Sequence, residues 1–179
     1  MEKQSGHEEL YNIRRAKKTD CEEIVGMIRG MAVEEDMEDQ FKMTAEVLMK
    51  DGFESDPPCF SSFVAETKKG NEVVAYTIFV MQYSTWNGKI IYLEDVFVKQ
   101  NHRNRGLATK LIQKVNEFSV ETGCQQFRLA CLNWNKNAMR LYKNLGCRDL
   151  TEEEQWHMLR FDNDVMHNMY KESKHAEKN

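Results

Sequence analysis

Three groups of residues in this chain have the types and spacing to do chemistry. The first is Glu94-Asp95, an acidic pair set inside the apolar run IIYLEDVFV. A run of β-branched and aromatic residues reads as a buried strand, and polar groups are placed in such a strand for a reason. The second is the turn that follows, Arg103-x-x-Gly106-x-Ala108, which opens onto apolar residues at helical spacing: Leu107, Leu111, Ile112, Val115 and Phe118. Free N–H groups and the positive end of a helix dipole point out of such a turn. Arg103 and Arg105 add charge, so the turn reads as an anion site. It holds no Walker lysine-serine pair and no GxGxxG, so neither the usual nucleoside triphosphate nor the dinucleotide fingerprint fits. The third group is Asn135 at a predicted helix entry, with Tyr142 seven residues later. Seven residues are two helical turns, so both lie on one face.

The elements that must position these groups follow from pattern. Tyr11 to Arg15 reads as a short strand, and Thr19-Asp20 caps a helix with Ile24, Met27, Ile28 and Met31 inward. The acidic run Val33 to Gln40 is either a solvated helix end or, beside a substrate mouth, a lure for amines. Thr44 caps a second short helix, which Asp51-Gly52 ends. Two strands, Phe60 to Glu66 and Glu72 to Tyr83, meet at Asn71, and Asn87-Gly88 is the strongest hairpin turn in the chain. The carboxylate strand and the long helix follow, the helix ending near Thr122-Gly123. A strand over Gln126 to Leu132 then leads to a helix stopped by Gly146. Cys147 to Leu150 and Gln155 to Phe161 are candidate closing strands, and Asp162 to Lys171 is a final helix. The pattern predicts one α+β domain over residues 10–172, with a disordered start at 1–9 and a polar tail at 173–179.

Composition narrows the class. At 179 residues, 41% hydrophobic and 30% charged, the chain can bury a proper core. It has no 18-residue apolar run, and its first residues, MEKQSGHEEL, are too polar for a signal peptide, which predicts an intracellular protein away from membranes. A net charge of −4 argues against nucleic acid as the main partner and is compatible with a cationic substrate. The five cysteines are widely spaced without a CxxC pair, and the five histidines fall in no ligand spacing. Reduced thiols and no metal are expected.

Taken together, the segments STWNGKIIYLEDVFV, RNRGLATKLI, GCQQFRLA, NWNKNAMRLYKNLG and DLTEEEQWH, in this order, resemble the diamine (spermidine/spermine) acetyltransferase family of GNAT N-acetyltransferases. Within it they are most similar to the branch that acetylates thialysine at its side-chain amine. The resemblance spans roughly residues 10 to 162. It implies a GNAT fold, a single mixed and mostly antiparallel sheet of about seven strands flanked by helices and splayed in the middle for acetyl-CoA. It also implies a cytoplasmic homodimer that transfers acetyl directly from acetyl-CoA to a primary amine.

On the same ground Glu94 would be the base, acting through water, and Tyr142 would protonate the leaving thiolate. Backbone N–H groups of Val96, Phe97 and Val98 would hold the thioester carbonyl and the pantetheine arm. Arg103, Asn104, Arg105, Gly106, Leu107, Ala108 and Thr109 would cradle the pyrophosphate. Asn135, Lys136, Asn137 and Ala138 would lie along the pantetheine. Val33, Glu34, Leu129 and Glu154, with Glu94, would meet the acceptor, and Trp86 would either line its channel or pack as a core aromatic. The chain departs from the family in three places: Val33 stands where an aromatic is usual, Asn104-Arg105 replaces a glycine-bearing pair, and Ala108 replaces the last glycine. A thialysine-like amino acid is the favoured acceptor. Polyamines are the alternative, with a protein lysine and a non-catalytic acyl-CoA-binding module behind them.

Overall fold

The computed structural model describes residues 10–176, so the expectation for residues 1–9 lies outside the described residues. The chain divides into two compact units, Met1–Leu132 and Asn133–Asn179. The first holds a five-stranded sheet in the order β1 (Tyr11–Arg15), β2 (Ser61–Thr67), β3 (Val73–Ser84), β4 (Gly88–Val98), β5 (Gln126–Leu129). Neighbours are antiparallel except β4 and β5, which are parallel and joined through helix α3 (Leu107–Glu121).

Local chemistry explains the connections. Asn71, at φ 53, takes the left-handed turn between β2 and β3. Between β3 and β4 the Ser84 hydroxyl accepts from the N–H groups of Trp86 and Asn87, and Gly88 supplies a φ of 79. Helix α1 (Cys21–Glu34) enters behind Asp20, whose carboxylate takes Arg14 at 2.7 and 3.0 Å and the N–H of Lys17 at 2.7 Å. The same guanidinium donates to Glu66 at 2.7 Å and so ties β1, β2 and the start of α1 together. Helix α2 (Ala45–Met49) is capped by the Thr44 hydroxyl, and a π-helical turn, Lys50–Glu54, continues it past the expected stop.

One face of the sheet packs on α1 and α2. Cys21, Ile24, Met27 and Leu48 bury against Val64, Val73, Tyr76 and Ile78, with Phe97 beside them. The other face packs on α3, where Leu107, Leu111, Ile112 and Val115 are buried and Phe118 lies 5.3 Å from Phe79. Seven consecutive buried residues, Val73 to Phe79, make β3 the strand covered on both sides.

The second unit holds α4 (Lys136–Asn144), α5 (Leu150–Glu154) and α6 (Asn163–Ala176). The described residues therefore hold five strands where about seven are expected. Asp149 caps residues 150–154, its carboxylate accepting from the N–H groups of Thr151 and Glu152, and this commits them to a helical turn. Residues 155–161 pair with no strand among the described residues. None of the described helices is long and apolar enough to cross a membrane.

Candidate active site

Strand β4 decides the geometry. Its pairing with β5 runs from Ile90 to Leu93, opposite Gln126 to Leu129, and stops there. Its pairing with β3 continues to Val98 opposite Ala75. From Glu94 onward, β4 thus has an open edge on the β5 side. The Val98 carbonyl accepts from Arg103 Nε at 2.8 Å, while Lys99 N–H turns to Val74 on β3. Alternation along the strand then aims the N–H groups of Val98 and Val96 at the open edge and that of Phe97 at β3.

A β-bulge sits where the edge opens. Leu93 pairs with Phe79 on the α3 face, Asp95 pairs with Ile78 on the α1 face, and Glu94 is the extra residue between them. Strict alternation would point Glu94 and Asp95 to opposite faces, and the inserted residue removes that alternation, so both carboxylates come opposite Ile78. Glu94 is exposed, and Asp95 is partly buried, with Oδ2 accepting from the hydroxyl of the fully buried Tyr76 at 3.3 Å. Burial, then the charge of Glu94, and less strongly that of Glu35, push the Asp95 acid up to about 6 against the pull of Tyr76. Burial and the same acid push the Tyr76 phenol far above its ordinary value, so it stays a donor.

Past the strand end, Asn104 at φ 61 and Gly106 at φ 75 wind the turn into α3. The first main-chain bond of the helix joins Lys110 N–H to the Gly106 carbonyl at 3.0 Å. The N–H groups of Leu107, Ala108 and Thr109 precede it and have no carbonyl within the helix, the arrangement in which a helix start can meet an anion. Arg105 is fixed at the flank, donating to the Tyr11 hydroxyl at 2.8 Å and to the Asn101 carbonyl at 3.1 Å, and Tyr11 also bonds His102 Nδ1 at 2.9 Å. These features fit the pyrophosphate and pantetheine of coenzyme A: donors along a strand edge, then donors at a helix start, flanked by a guanidinium.

Arg103, which the motif sets at the pyrophosphate, is turned toward the end of α1. Its guanidinium grips both Glu34 oxygens at 2.7 and 2.8 Å and lies 5.2 Å from the Phe97 ring centre. It clamps the end of α1 to the turn and pairs with the Glu34 carboxylate there. Val33, next to it, is 55% exposed. Glu35 is the carboxylate that acts on the bulge, since its charge raises Asp95, Tyr76 and the Cys131 thiol, in each case after burial. Its own acid is raised by burial and by Glu34. Sequence reasoning singles out Asp95 beside Glu94 but prefers Glu94, and it names Glu35 only within the acidic run; the bulge and the end of α1 bring the three into one neighbourhood. Leu129 closes the last β4–β5 pair opposite Leu93, and Trp86 is exposed at the hairpin end.

The second unit, taken by itself, orders its part of the motif. The Asn135 side chain accepts from Ala138 N–H at 3.1 Å and starts α4, over whose first residues Lys136 and Asn137 lie. Gly146, at φ 90, ends it, with its N–H on Lys143 and that of Cys147 on the Tyr142 carbonyl. Tyr142 is partly buried on this helix. Glu154 accepts from Trp156 Nε1 at 2.8 Å and from Arg148 at 3.4 Å. Among the described residues no group of three or more His, Cys, Asp or Glu could hold a metal ion.

The profile of the Acetyltransferase (GNAT) family matches residues 28–147. The chain is 47% identical over 160 residues to the thialysine N-epsilon-acetyltransferase of Sus scrofa, covering 86% of this chain and 94% of that one. It is 31% identical over 166 residues to the human spermidine/spermine N(1)-acetyltransferase-like protein 1, covering 90% of this chain and 24% of that longer protein. In fold it is similar to an integron cassette protein from the mobile metagenome of V. cholerae, with a TM-score of 0.71 at 17% identity over 90% of this chain and 98% of that one.

Proposed function

The chain belongs to the acetyltransferase (GNAT) family, and from that premise we propose that it transfers acetyl from acetyl-CoA directly to the side-chain amine of a thialysine-like amino acid. It is an N-acetyltransferase. Acetyl-CoA supplies the activated thioester. The observation that carries the reading is the open edge of β4 running into the unsatisfied N–H groups at the start of α3. Val96 and Val98 hold the thioester carbonyl and pantetheine by main-chain donors, as an added strand would be held, with Phe97 setting their spacing. Asn104 to Thr109 hold the pyrophosphate, and Arg103 keeps the turn in place. Asn135 to Ala138 are assigned to the pantetheine, and Tyr142 to protonation of the leaving thiolate, on their motif.

The acceptor arrives as an ammonium, since an alkyl amine has a pKa of about 10.4, so a base must take its proton. The carboxylate pair at the bulge is placed for this, and Glu94 is the member that the motif favours. Leu129, Val33 and Glu154 stay assigned to the acceptor, whereas Glu34, bound by Arg103, acts on it only through the clamp. The acids around Asp95, with no cation pairing it among the described residues, also support a polyamine acceptor, a reading in keeping with the human relative. A cytoplasmic homodimer completes the proposal. Exposed Trp156, Met158, Leu159 and Phe161 support the dimer as a surface that a second copy would cover.

Release of free coenzyme A from acetyl-CoA, compared by kcat/KM over thialysine, lysine, ornithine, putrescine, spermidine, spermine and a histone-tail peptide, tests the acceptor. A lead for thialysine upholds the proposal, and a lead for spermidine or spermine replaces it with the polyamine reading. Light scattering at micromolar concentration tests the dimer, and a single monomer peak would contradict it.

A further inference from the structure

We infer that Asp95, held by Tyr76, is the residue that takes the proton from the acceptor amine, and that Glu94 beside it returns that proton to water. The inference rests on the acetyl-transfer reading above and names the base within it.

Four observations carry it. The bulge puts both carboxylates opposite Ile78 at the point where β5 leaves β4, so the motif's preference for Glu94 no longer excludes its neighbour. Asp95 is the ordered member of the pair. Its Oδ2 is fixed by the Tyr76 hydroxyl, which is buried in the α1 face, while Oδ1 has no partner among the described residues. Among the described residues no arginine or lysine is seen to act on it, and Arg103, the cation nearest in the motif, is bound to Glu34. The groups that act on Asp95 are Tyr76 from β3, Glu94 on its own strand and Glu35 at the end of α1, so apart from the phenol all are acids. Burial and these acids bring its proton affinity close to neutrality, where a base is ionised before the reaction and still able to hold a proton during it. Glu94 is exposed and suits exchange with solvent.

The step balances as follows. Asp95 carboxylate takes one proton from the ammonium and becomes a carboxylic acid. The freed nitrogen lone pair forms the C–N bond at the thioester carbonyl carbon. As the intermediate collapses, the C–S bond breaks with its electron pair on sulfur, the nitrogen loses its second proton, and the thiolate gains one. Asp95 then releases its proton through Glu94, so the turnover yields amide, free thiol and one proton in solution.

The test is the pH profile of kcat/KM for the leading amine in the wild type, Asp95→Asn, Tyr76→Phe and Glu94→Gln, with acetyl-CoA affinity measured in each by calorimetry. The wild type should show an acidic limb with a midpoint near pH 6. Asp95→Asn should lose about 10²–10⁴-fold in rate and lose the limb, while acetyl-CoA affinity is kept. Tyr76→Phe removes the hydrogen bond that holds and favours the ionised carboxylate, so its limb should move to higher pH along with a loss of rate smaller than that of Asp95→Asn, a shift that a merely structural role would not produce. Glu94→Gln should keep the limb with a smaller loss. A Glu94→Gln enzyme without rate or limb, beside an Asp95→Asn enzyme that keeps both, would overturn the assignment. A wild type that binds acetyl-CoA but acetylates no amine would overturn the acetyl-transfer reading itself, and Asp95's role with it.

Discussion

Replacing Asp95 by asparagine should make the protein more stable at pH 8 and change little near pH 4. The substitution keeps the shape of the side chain and an oxygen for the Tyr76 hydroxyl, but removes a charge from a site that disfavours it. Burial and Glu94 raise the acid from its ordinary value of 3.8 to about 6. At about 1.4 kcal/mol for each factor of ten, holding the ionised form costs the fold roughly 3 kcal/mol at most, and about 1–3 kcal/mol after allowance for the solvent that reaches a partly buried group. The sign follows from the direction. An acid raised in the folded state gives that state extra affinity for the proton, so the stabilisation is complete below the unfolded value near 4. It is lost as pH rises through 6. The asparagine variant has no such loss, and its advantage should therefore open between pH 4 and 7.

For a chain of this length, 1 kcal/mol moves the melting temperature by about 2–4 °C, so calorimetry should find the variant about 2–12 °C higher at pH 8. Glu94→Gln should give a smaller gain in the wild type and almost none beside Asp95→Asn, because its effect on stability acts through Asp95. An Asp95→Asn protein that melts below the wild type at pH 8, or by a difference that ignores pH, would refute the reasoning. The gain would also show why the carboxylate is there: a residue that lowers stability and lies beside the open edge is kept for function.

Three other expectations follow from the same geometry. Tyr142→Phe should bind acetyl-CoA normally and lose about 10²-fold or more in kcat if the phenol protonates the thiolate, and an unchanged kcat would remove it from the mechanism. Gly106→Ala adds a Cβ that meets nothing within 4 Å but forces alanine to φ 75, so it should cost about 1–2 kcal/mol in denaturation and weaken acetyl-CoA binding. Glu35→Gln should raise the amine KM about fivefold, the worth of roughly 1 kcal/mol near the surface, whereas Glu34→Gln, whose charge already belongs to Arg103, should change it far less. Steady-state kinetics separate the two, and equal effects would mean that the acidic run acts as a diffuse field.

What could be read from the sequence and what could not divide along the reach of the interactions. The Thr44 and Asn135 caps, the Gly146 stop and the turns at Asn71, Gly88 and Gly106 are each settled by residues within a few positions of one another, and each stands where the pattern puts it. The carboxylates at the centre of β4 are different. Their facing depends on register against Ile78 and Phe79, residues in another strand, and period-2 counting along β4 alone sends them to opposite sides. Arg103 and Glu34 are 69 positions apart, so a motif that reads Arg103 as a phosphate ligand cannot show that a carboxylate already holds it. The missing closing strands fail for the same reason in reverse. Residues 155–161 carry large apolar side chains, Trp156, Met158, Leu159 and Phe161, yet a strand also needs a neighbour to accept its hydrogen bonds. The open edge of β4 shows the same need from the other side: from Glu94 onward the strand is left without its β5 neighbour, and under the proposed function a pantetheine arm would take up the donors exposed there.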